Sequence, residues 1–392
     1  MALALLATFA SGMRALRIVA ISPHSDEGLY RAYMRHLDQH GLASFPELFD
    51  EATRFASSDS HEAPYRVGYI ALTWVCAKVF GPTFEALTYL SFACQVLLVL
   101  GVWRVGRRVL PECAAAFTAL ALACSPLLLR LAPQPLTDTP ATLGAALSVL
   151  TFLDLLARPR RGALLAFVAS FTFALSVKEL ALLLAPCLFA LWALERWRKS
   201  TELRFADLLF ALTAPGALCL GLWMLAAWDT SAALRYLWTG LHSTGANPYM
   251  QAESIGPWYR YLVELLLLSP LPSLLAAAAA GHALLKRGDD ERSRDAVRWV
   301  VFAAVLLAVA GPLPKNIRFF AILELPLRAL EVAALTHLAR RVFDTRARAA
   351  ALAALLALVA LAAIDLVAAN TTFVHLHDPV VSHLLRMRGF LP

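Results

Sequence analysis

Apolar stretches of helical length alternate with short polar connections along most of this chain. A transmembrane helix requires about 20 predominantly apolar residues, and only helices and closed barrels satisfy the backbone hydrogen bonds of a segment inside a bilayer. The leucine- and alanine-rich composition of the stretches favours helices over strands. The segments predicted to cross a membrane are 1–21, 85–103, 113–130, 140–157, 162–177, 180–194, 208–227, 258–284, 299–313, 319–339 and 349–368. We therefore expect about eleven transmembrane helices.

The overall composition agrees with a chain that resides in a bilayer. Of its 392 residues, 59% are hydrophobic and 16% are charged, which is more apolar material than the core of one soluble domain hides. The six cysteines form no C-x-x-C pair, so neither a disulfide framework nor a zinc finger is predicted. We expect an all-α polytopic membrane protein in which residues 1–392 form a single transmembrane domain without a separate soluble domain.

Positive residues are concentrated in alternate connections between the predicted spans. By the positive-inside rule, such clusters mark the cytoplasmic side of a membrane. The clusters contain Arg104, Arg107, Arg108, Arg158, Arg160, Arg161, Arg196, Arg198, Lys199, Arg204, Lys286, Arg287, Arg292, Arg294, Arg298, Arg340, Arg341, Arg346 and Arg348. The opposite connections hold isolated cations, namely Arg130, Lys178, Arg235, Lys315 and Arg318. This pattern accounts for the net charge of +7 without a nucleic acid partner, and it predicts that 228–257 and 369–392 lie outside the cytoplasm.

The segment 67–80 is apolar but short, and its path decides on which side Asp26 lies. Its roughly 14 apolar-leaning residues favour a helix that dips into the interface over one that crosses the membrane. In that case 22–84 is a first outer loop with interfacial helices, and Asp26 faces the same outer space as the isolated cations. No positive residue precedes the first apolar run, which argues against a cleaved signal peptide.

Acidic residues on the predicted outer side are the first functional candidates, because ionisable groups at membrane depth are costly. Asp26 and Glu27 begin a segment that predicts an amphipathic helix containing Tyr30. Asp138 precedes a long apolar helix, in a connection rich in proline. Both positions are also compatible with helix capping, in which a short polar side chain accepts backbone N–H groups. The residues alone leave the two interpretations open.

Two further stretches carry polar residues next to apolar runs. The stretch "SSDSHEAPYRVGY" contains His61, Tyr65 and Arg66, and by itself it predicts a solvated loop. In "ALSVKELALLLAP", Lys178 and Glu179 interrupt apolar residues so briefly that the turn stays close to the lipid headgroups. Such a pair either neutralises itself or lets the lysine reach a lipid phosphate.

The stretch "GPLPKNIRFFAILELP" places Lys315 and Arg318 between two predicted spans on the cation-poor side. Arginine is well suited to phosphate because its planar guanidinium group matches two oxygens at once. The C-terminal stretch "NTTFVHLHDPVVSHLL" contains three histidines and an aspartate, but a solvated tail is the better interpretation than a metal site.

Taken in chain order, these stretches resemble the GT-C superfamily of membrane glycosyltransferases that use polyprenyl-phosphate sugars, especially the bacterial protein mannosyltransferase and aminoarabinose transferase-like group. The resemblance covers nearly the whole chain. Its motifs are an acidic pair followed by a tyrosine, a Pro-Tyr segment ending in Phe-Gly, a Ser-Pro followed by an Asp, a Lys-Glu turn, and an Arg-aromatic pair before a proline. They correspond here to Asp26, Glu27 and Tyr30; to 63–81; to Ser125, Pro126 and Asp138; to Lys178 and Glu179; and to Arg318, Phe319 and Pro326. Glu62-Ala63-Pro64 replaces a Lys-Pro-Pro type of sequence, so one basic donor contact of the family is missing.

The resemblance implies a GT-C-like fold and an inverting glycosyltransferase that moves a sugar from a polyprenyl-phosphate carrier to an acceptor hydroxyl. The candidate catalytic carboxylates are then Asp26, Glu27 and Asp138, with Asp26 as the general base that takes the acceptor proton. Lys178, Lys315 and Arg318 are predicted to stabilise the charge on the departing phosphate. The candidate substrate-binding residues are Tyr30, His61, Tyr65, Arg66 and Glu179.

The implied partners are the polyprenyl-phosphate sugar donor, a lipid, glycan or protein acceptor, and the lipid bilayer. A divalent metal ion held by Asp26, Glu27 and Asp138 is left open, because carboxylate oxygens suit such an ion but their spacing is not diagnostic. The expected location is a bacterial inner (cell) membrane with the site on the periplasmic side. A transporter or flippase for a lipid-linked or anionic substrate is the alternative, although the sequence contains no inverted repeat of the kind that many transporters have.

Overall fold

The computed structural model describes residues 26–54, 65–229, 231, 257, 259–286, 291–313, 316–343 and 346–375. All regular structure within these ranges is helical. The α-helices are α1 (Asp26–His40), α2 (Phe45–Arg54), α3 (Val67–Phe80), α4 (Phe84–Gly106), α5 (Glu112–Ala123), α6 (Pro126–Leu131), α7 (Asp138–Ala157), α8 (Arg161–Val177), α9 (Leu184–Trp197), α10 (Phe205–Ala227), α11 (Arg260–Leu268), α12 (Pro270–Leu285), α13 (Glu291–Ala310), α14 (Glu324–Phe343) and α15 (Ala347–Asn370). Shorter helices of the 3-10 type span Leu42–Ser44, Glu179–Leu183 and Ile317–Leu323, and a π-helical turn spans Thr371–His375. The predicted first span, 1–21, lies outside the described residues.

The predicted spans from 85 to 368 correspond to helices, but four of them are interrupted where the pattern of apolar residues continues. The span 113–130 is two helices, because Ser125 accepts a hydrogen bond from Leu128 N–H and Pro126 opens a new helix. The span 258–284 also breaks, at Ser269 directly before Pro270, although Ser269 makes no side-chain cap bond. The spans 180–194 and 319–339 each contain a 3-10 segment before their α-helix. These corrections matter because two of the breaks lie where the polar candidates are found.

Helices α4, α7 and α8 establish the direction of the bundle. Ser91 Oγ donates to the carbonyl of Leu136 at 3.4 Å, and Arg158 Nη2 donates to the carbonyl of Arg108 at 3.0 Å, so α4 and α7 run side by side in the same direction. Helix α8 returns beside α7, with Thr151 Oγ1 and Ser170 Oγ 3.0 Å apart. The start of α7 and the end of α8 therefore lie together, and we call this the site end of the bundle.

Four of the five predicted cation clusters contact one another in pairs at the opposite end, which we call the arginine-rich end. Arg108 Nη1 lies 3.6 Å from Asp154 Oδ2 at the end of α7. Arg198, after α9, donates to the carbonyl of Arg294 in α13 at 3.4 Å. Arg298 and Glu195 join the same two helices through contacts of 2.8 and 2.9 Å. The alternation of charged connections in the sequence thus corresponds to alternating helix directions in the structure.

Helix α3, which contains the ambiguous segment 67–80, does not run from one end of the bundle to the other. Arg66, just before its first residue, bonds to Glu179 at the site end. After its last residue, only 81–83 connect it to α4, whose Ser91 is level with Leu136 just before α7. Its 14 residues rise about 21 Å, which is less than the roughly 30 Å of a hydrocarbon core. Both ends of α3 therefore belong to the site end.

Within the part of the chain that the structure describes, five helical segments are long and apolar enough to cross a membrane: Phe84–Gly106, Asp138–Ala157, Glu179–Trp197, Phe205–Ala227 and Ala347–Phe373. Four further apolar helices are shorter, namely Val67–Phe80, Glu112–Ala123, Arg161–Val177 and Pro270–Leu285. The expected total of about eleven spans therefore stays a prediction. Large apolar side chains on the outer faces of α10 and α15, such as Phe210, Leu225 and Val367, are exposed, as lipid-facing residues would be.

A buried ion cluster fastens α14 to its neighbours. The side chain of Arg328 is 1% exposed and contacts Glu324, Glu331 and Asp365 at 2.9, 3.0 and 2.7 Å. Its Nη2 also donates to Ser269 Oγ at 2.9 Å, at the break between α11 and α12. One guanidinium group thus links α14 and α15 to the break between α11 and α12, and it is the shared cationic partner of three buried carboxyl groups.

Removal of this cation is expected to destabilise the fold strongly. In Arg328→Met the three carboxyl groups lose their counter-charge inside the bundle, and the loss of a buried ion pair partner costs about 3–5 kcal/mol. Thermal unfolding of the detergent-solubilised variant should show a clearly lower midpoint. Arg204→Met is the control, because the Arg204–Asp207 pair at 2.9 Å is on the surface, and its midpoint should stay at the wild-type value. Equal midpoints for the two variants would contradict this account of the cluster.

Candidate functional site

Asp26 begins α1 and lies opposite a cation that is 292 residues away in the chain. Arg318 Nη2 donates to Asp26 Oδ2 at 3.3 Å. The Asp26 side chain is 34% exposed and that of Arg318 is 19% exposed. Arg318 belongs to the 3-10 segment Ile317–Leu323, which directly precedes α14. Packing of the bundle thus brings the first motif of the sequence, at Asp26, into contact with the last, at Arg318. The Asp26 carboxylate remains accessible.

Asp138 and Lys178 form a second pair, and this one is deeply buried. Lys178 Nζ donates to Asp138 Oδ1, and the two side chains are 6% and 3% exposed. Lys178 lies between α8 and the segment Glu179–Leu183. Its extended backbone ends α8 at this residue. Thr137, the residue directly before α7, makes no side-chain cap bond.

Charges from three parts of the chain act on the Lys178 ammonium group, which lies between two predicted spans. Burial lowers the pKa of Lys178, while the adjacent Asp138 carboxylate opposes that effect by raising it. The guanidinium groups of Arg66 and Arg318 are near enough to lower the pKa further. The half-buried pair Asp26–Arg318 and the buried pair Asp138–Lys178 therefore belong to one electrostatic cluster.

Arg66 forms the third ion pair, with Glu179, and donates hydrogen bonds to two tyrosines. Its Nε and Nη2 donate to the two carboxylate oxygens of Glu179 at 3.1 and 3.0 Å. Its Nη1 donates to the hydroxyl of Tyr30, and its Nη2 also donates to the hydroxyl of Tyr65 at 3.4 Å. Arg66 thus ties α1 and α3 to the turn that carries Lys178. The prediction of a solvated loop for this stretch is wrong for Arg66, which is buried, whereas Tyr65 is half-buried.

The structure adds two residues that sequence analysis missed. Asn316 is fully buried, and its Oδ1 accepts the backbone N–H of Arg318 at 3.2 Å, which fixes the start of the segment that carries this arginine. The signal for it was available, since Asn is a preferred capping residue. Tyr69 is also fully buried, and its ring packs edge-on against Tyr30 with centroids 4.8 Å apart. No local pattern marks it, since it lies within the apolar run of α3.

A pocket opens beside the charged cluster. Asp138, Lys178 and Arg318 line its polar part, and its other walls come from α7, α9, α13 and the two 3-10 segments. The apolar lining includes Ala145, Leu184, Leu306 and Ile322. The Phe319 ring lies 4.7 Å from Lys178 Nζ and 5.3 Å from the Arg318 guanidinium carbon, so it supports both cations from one side.

The structure brings together Asp26, Tyr30, Tyr65, Arg66, Asp138, Lys178, Glu179 and Arg318 at the site end, and Glu27 follows Asp26 in the first turn of α1. His61 and Lys315 lie outside the described residues, as does nearly all of 228–257 and most of 369–392. No group of three or more His, Cys, Asp or Glu side chains within the described ranges is arranged to hold a metal ion. Asp26 and Asp138 each face a protein cation instead, and metal dependence stays a prediction.

Comparison of the sequence with known families agrees with the motifs. The family model of the dolichyl-phosphate-mannose-protein mannosyltransferases matches residues 64–223, a region that contains Arg66, Asp138, Lys178 and Glu179. A search of the curated proteins finds no match.

The fold is similar to those of two proteins of known structure. ArnT from Cupriavidus metallidurans bound to undecaprenyl phosphate has a TM-score of 0.58 and 18% identity, over 99% of this chain and 77% of that one. The oligosaccharyltransferase from Archaeoglobus fulgidus in the apo form has a TM-score of 0.58 and 13% identity, over 94% of this chain and 55% of that one. This chain therefore spans about half the length of the archaeal protein. The resemblance to GT-C membrane glycosyltransferases is confirmed, and the chain is a multi-pass membrane protein.

Close packing of α3 against α8 sets the position of Arg66, and a single methyl group should disturb it. A Cβ atom at Gly68 would lie 2.2 Å from Ser176 Oγ and 3.0 Å from the Ser176 carbonyl carbon. Gly68→Ala is therefore expected to push α3 away from the Lys178 turn and lower stability by about 1–3 kcal/mol. The midpoint of thermal unfolding measures this effect. Ser176→Gly should rescue Gly68→Ala in part.

Gly216→Ala is the matched control for this substitution, because a Cβ atom there meets nothing within 4 Å. It lies in the helix α10, where alanine is the better helix former, so stability should stay equal or rise slightly. Equal behaviour of the two variants would show that the α3–α8 contact does not position the site.

Proposed function

We propose that this chain is an inverting glycosyltransferase that moves a sugar from a polyprenyl-phosphate carrier to an acceptor hydroxyl. The family match and the shared fold support a donor of this kind. The observation that carries the proposal is the cluster of three ion pairs, Asp26–Arg318, Asp138–Lys178 and Arg66–Glu179, beside a pocket with apolar walls. Such a site offers cations for a lipid phosphate and a carboxylate for a proton.

Lys178 and Arg318 are the proposed partners of the donor phosphate. They approach the same Phe319 ring and both line the pocket, so a phosphate placed there meets two positive groups. Lys315, three residues before Arg318, is proposed to add a third. These cations stabilise the negative charge that grows on the phosphate as the bond to the sugar breaks.

Asp26 is the proposed general base because it is the more accessible of the two paired aspartates. Its side chain is 34% exposed, whereas that of Asp138 is 3% exposed and directed to Lys178. A donor phosphate that takes over Arg318 would release the Asp26 carboxylate for the acceptor hydroxyl. Glu27 is proposed to support Asp26, and Asp138 to act through Lys178 by holding its ammonium group in place.

The reaction is then a single displacement. The acceptor oxygen forms a bond to C1 of the sugar, the bond between C1 and the phosphate oxygen breaks, and the acceptor proton passes to Asp26. The products are the glycosylated acceptor, with inverted configuration at C1, and free polyprenyl phosphate. Arg66, Tyr30, Tyr65, Glu179 and His61 are proposed to contact the sugar or the acceptor.

The proposed location is a bacterial inner membrane, with the site on the periplasmic side. The arginine-rich end supports this orientation through the positive-inside rule. The path of α3, whose two ends both belong to the site end, supports an outer position for Asp26. Lipid-linked sugars keep their phosphate at headgroup depth, which suits cations at the end of a bundle.

Mass spectrometry of lipid-linked sugars and glycans from cells with and without the protein tests this function. We expect one polyprenyl-phosphate sugar to accumulate in the cells that lack the protein, and one glycan or glycolipid to lose that sugar. A transporter or flippase would instead change the distribution of its substrate across the membrane without this pairing of precursor and product. Unchanged pools of both kinds of molecule would contradict the proposal.

A further inference from the structure

The face of α1 opposite the protein core carries a basic pocket that the proposed reaction does not use. Tyr30, Tyr33, Met34 and Leu37 are buried on the inner face of this helix. The pocket is lined by Gly28, Arg31, Ala32, Arg35, His36 and Gln39, together with Phe84 at the start of α4. The spacing of these residues on α1 is that of a single helical stripe.

Arg31 and Arg35 differ from five other cations at the site end. Arg66, Lys78, Lys178, Arg260 and Arg318 each form an ion pair with a carboxylate. Arg31 and Arg35 form no ion pair with a carboxylate among the described residues. They are four positions apart on one helix, where like charges repel each other. Glu85 acts on Arg31 electrostatically but forms no ion pair with it, and His36 faces Glu47 at 3.2 Å.

The pocket lies next to the start of α4, which is a candidate membrane span. The Arg31 guanidinium carbon lies 4.4 Å from the centroid of Phe84, the first residue of a 23-residue candidate span. Phe80 and Tyr89 pack against each other near that end and are both exposed, as side chains in contact with lipid would be. The two arginines therefore lie just beyond the end of an apolar surface, which is where lipid phosphates are found.

We propose that Arg31 and Arg35 bind the phosphate group of an anionic phospholipid and thereby hold α1 against the membrane surface. Arginine provides the planar pair of donors that phosphate oxygens accept. The pocket lies on the face of α1 away from Tyr30, and so away from the Arg66 cluster. An acceptor bound there would have its reactive hydroxyl on the wrong side of the helix, which favours a structural lipid. The inference does not depend on the identity of the reaction.

Retention of phosphatidylglycerol over phosphatidylcholine by the purified full chain, measured by native mass spectrometry from mixed nanodiscs, tests the proposal. For Arg31→Gln/Arg35→Gln we expect the preference for phosphatidylglycerol to fall about tenfold, and the wild-type preference to weaken as salt is raised. Arg31→Lys/Arg35→Lys keeps the charge and should retain most of the preference. Arg104→Gln, at the arginine-rich end, is the control for the loss of a cation and should have little effect.

Two results would overturn the proposal. The first is an unchanged lipid preference in Arg31→Gln/Arg35→Gln. If the same variant also has a raised KM for the acceptor, the pocket is assigned to the acceptor. The second is an unchanged preference in Arg35→Gln alone, which is the variant to measure if the double variant does not fold, since Arg35 is exposed.

Discussion

Replacement of Asp26 by asparagine is expected to lower the rate of sugar transfer by about a hundredfold to ten-thousandfold, the range that general base catalysis contributes. Asparagine keeps the size of the side chain and can still accept a hydrogen bond from Arg318, so folding and lipid binding should persist. Only the capacity to take the acceptor proton is removed. Transfer by the purified variant, with its unfolding midpoint measured in parallel, checks this prediction.

Asp38→Asn is the control for Asp26→Asn, because Asp38 lies on the same helix and pairs with Lys78 at 2.6 Å. It does not line the pocket of Asp138, Lys178 and Arg318. Its transfer rate should stay near that of the wild type. If Asp26→Asn transfers sugar at the wild-type rate, Asp26 is not the base. If Asp38→Asn is also inactive, the loss of transfer in Asp26→Asn is explained by a disturbed fold of α1.

Replacement of Arg318 by alanine is expected to lower kcat by about a hundredfold to a thousandfold, the effect of removing one preorganised donor from a developing negative charge. Arg318→Lys keeps the charge but not the two-pronged geometry, so it should recover part of the loss. Measurement of kcat and of KM for the lipid-phosphate donor separates stabilisation of the transition state from simple binding. An unchanged kcat with a raised KM would show that Arg318 only binds the donor.

The bundle could be predicted largely from the sequence because two signals are local. The length of each apolar run indicates a span, and the cations at alternate connections indicate its direction, as the contacts of Arg108 with Asp154 and of Arg198 with α13 illustrate. The breaks at Ser125 and Ser269 were missed because their apolar neighbours continue the pattern, although the proline that follows each serine is a signal for a new helix.

Four charged residues of the candidate site could also be singled out from the sequence, but not their pairing. Asp26, Asp138, Lys178 and Arg318 stand out because an ionisable residue on the cation-poor side needs a reason. That Asp26 faces Arg318, and Asp138 faces Lys178, depends on how distant helices pack, which no local pattern encodes. The capping interpretation of Asp26 also fails to anticipate this contact, since it considers only the residues that follow in the same helix.

The buried residues Tyr69 and Asn316 illustrate the remaining limit. Tyr69 belongs to an apolar run in which aromatic residues are ordinary, and only the packing of α1 on α3 brings it to Tyr30. Asn316 has a common local role, as a capping residue, and acquires its importance from the position of Arg318 two residues later. Such residues become candidates only when the neighbouring helices are known.

The configuration of the product at C1 is the measurement that tests the central claim most directly. The substrates are the polyprenyl-phosphate sugar that accumulates in cells without the protein and the acceptor that lacks this sugar, and the enzyme is the purified wild-type chain. We expect transfer with inversion at C1, read by nuclear magnetic resonance of the product, and a rate at least about a hundredfold lower with Asp26→Asn. Retained configuration, or equal transfer by both proteins, would contradict the account.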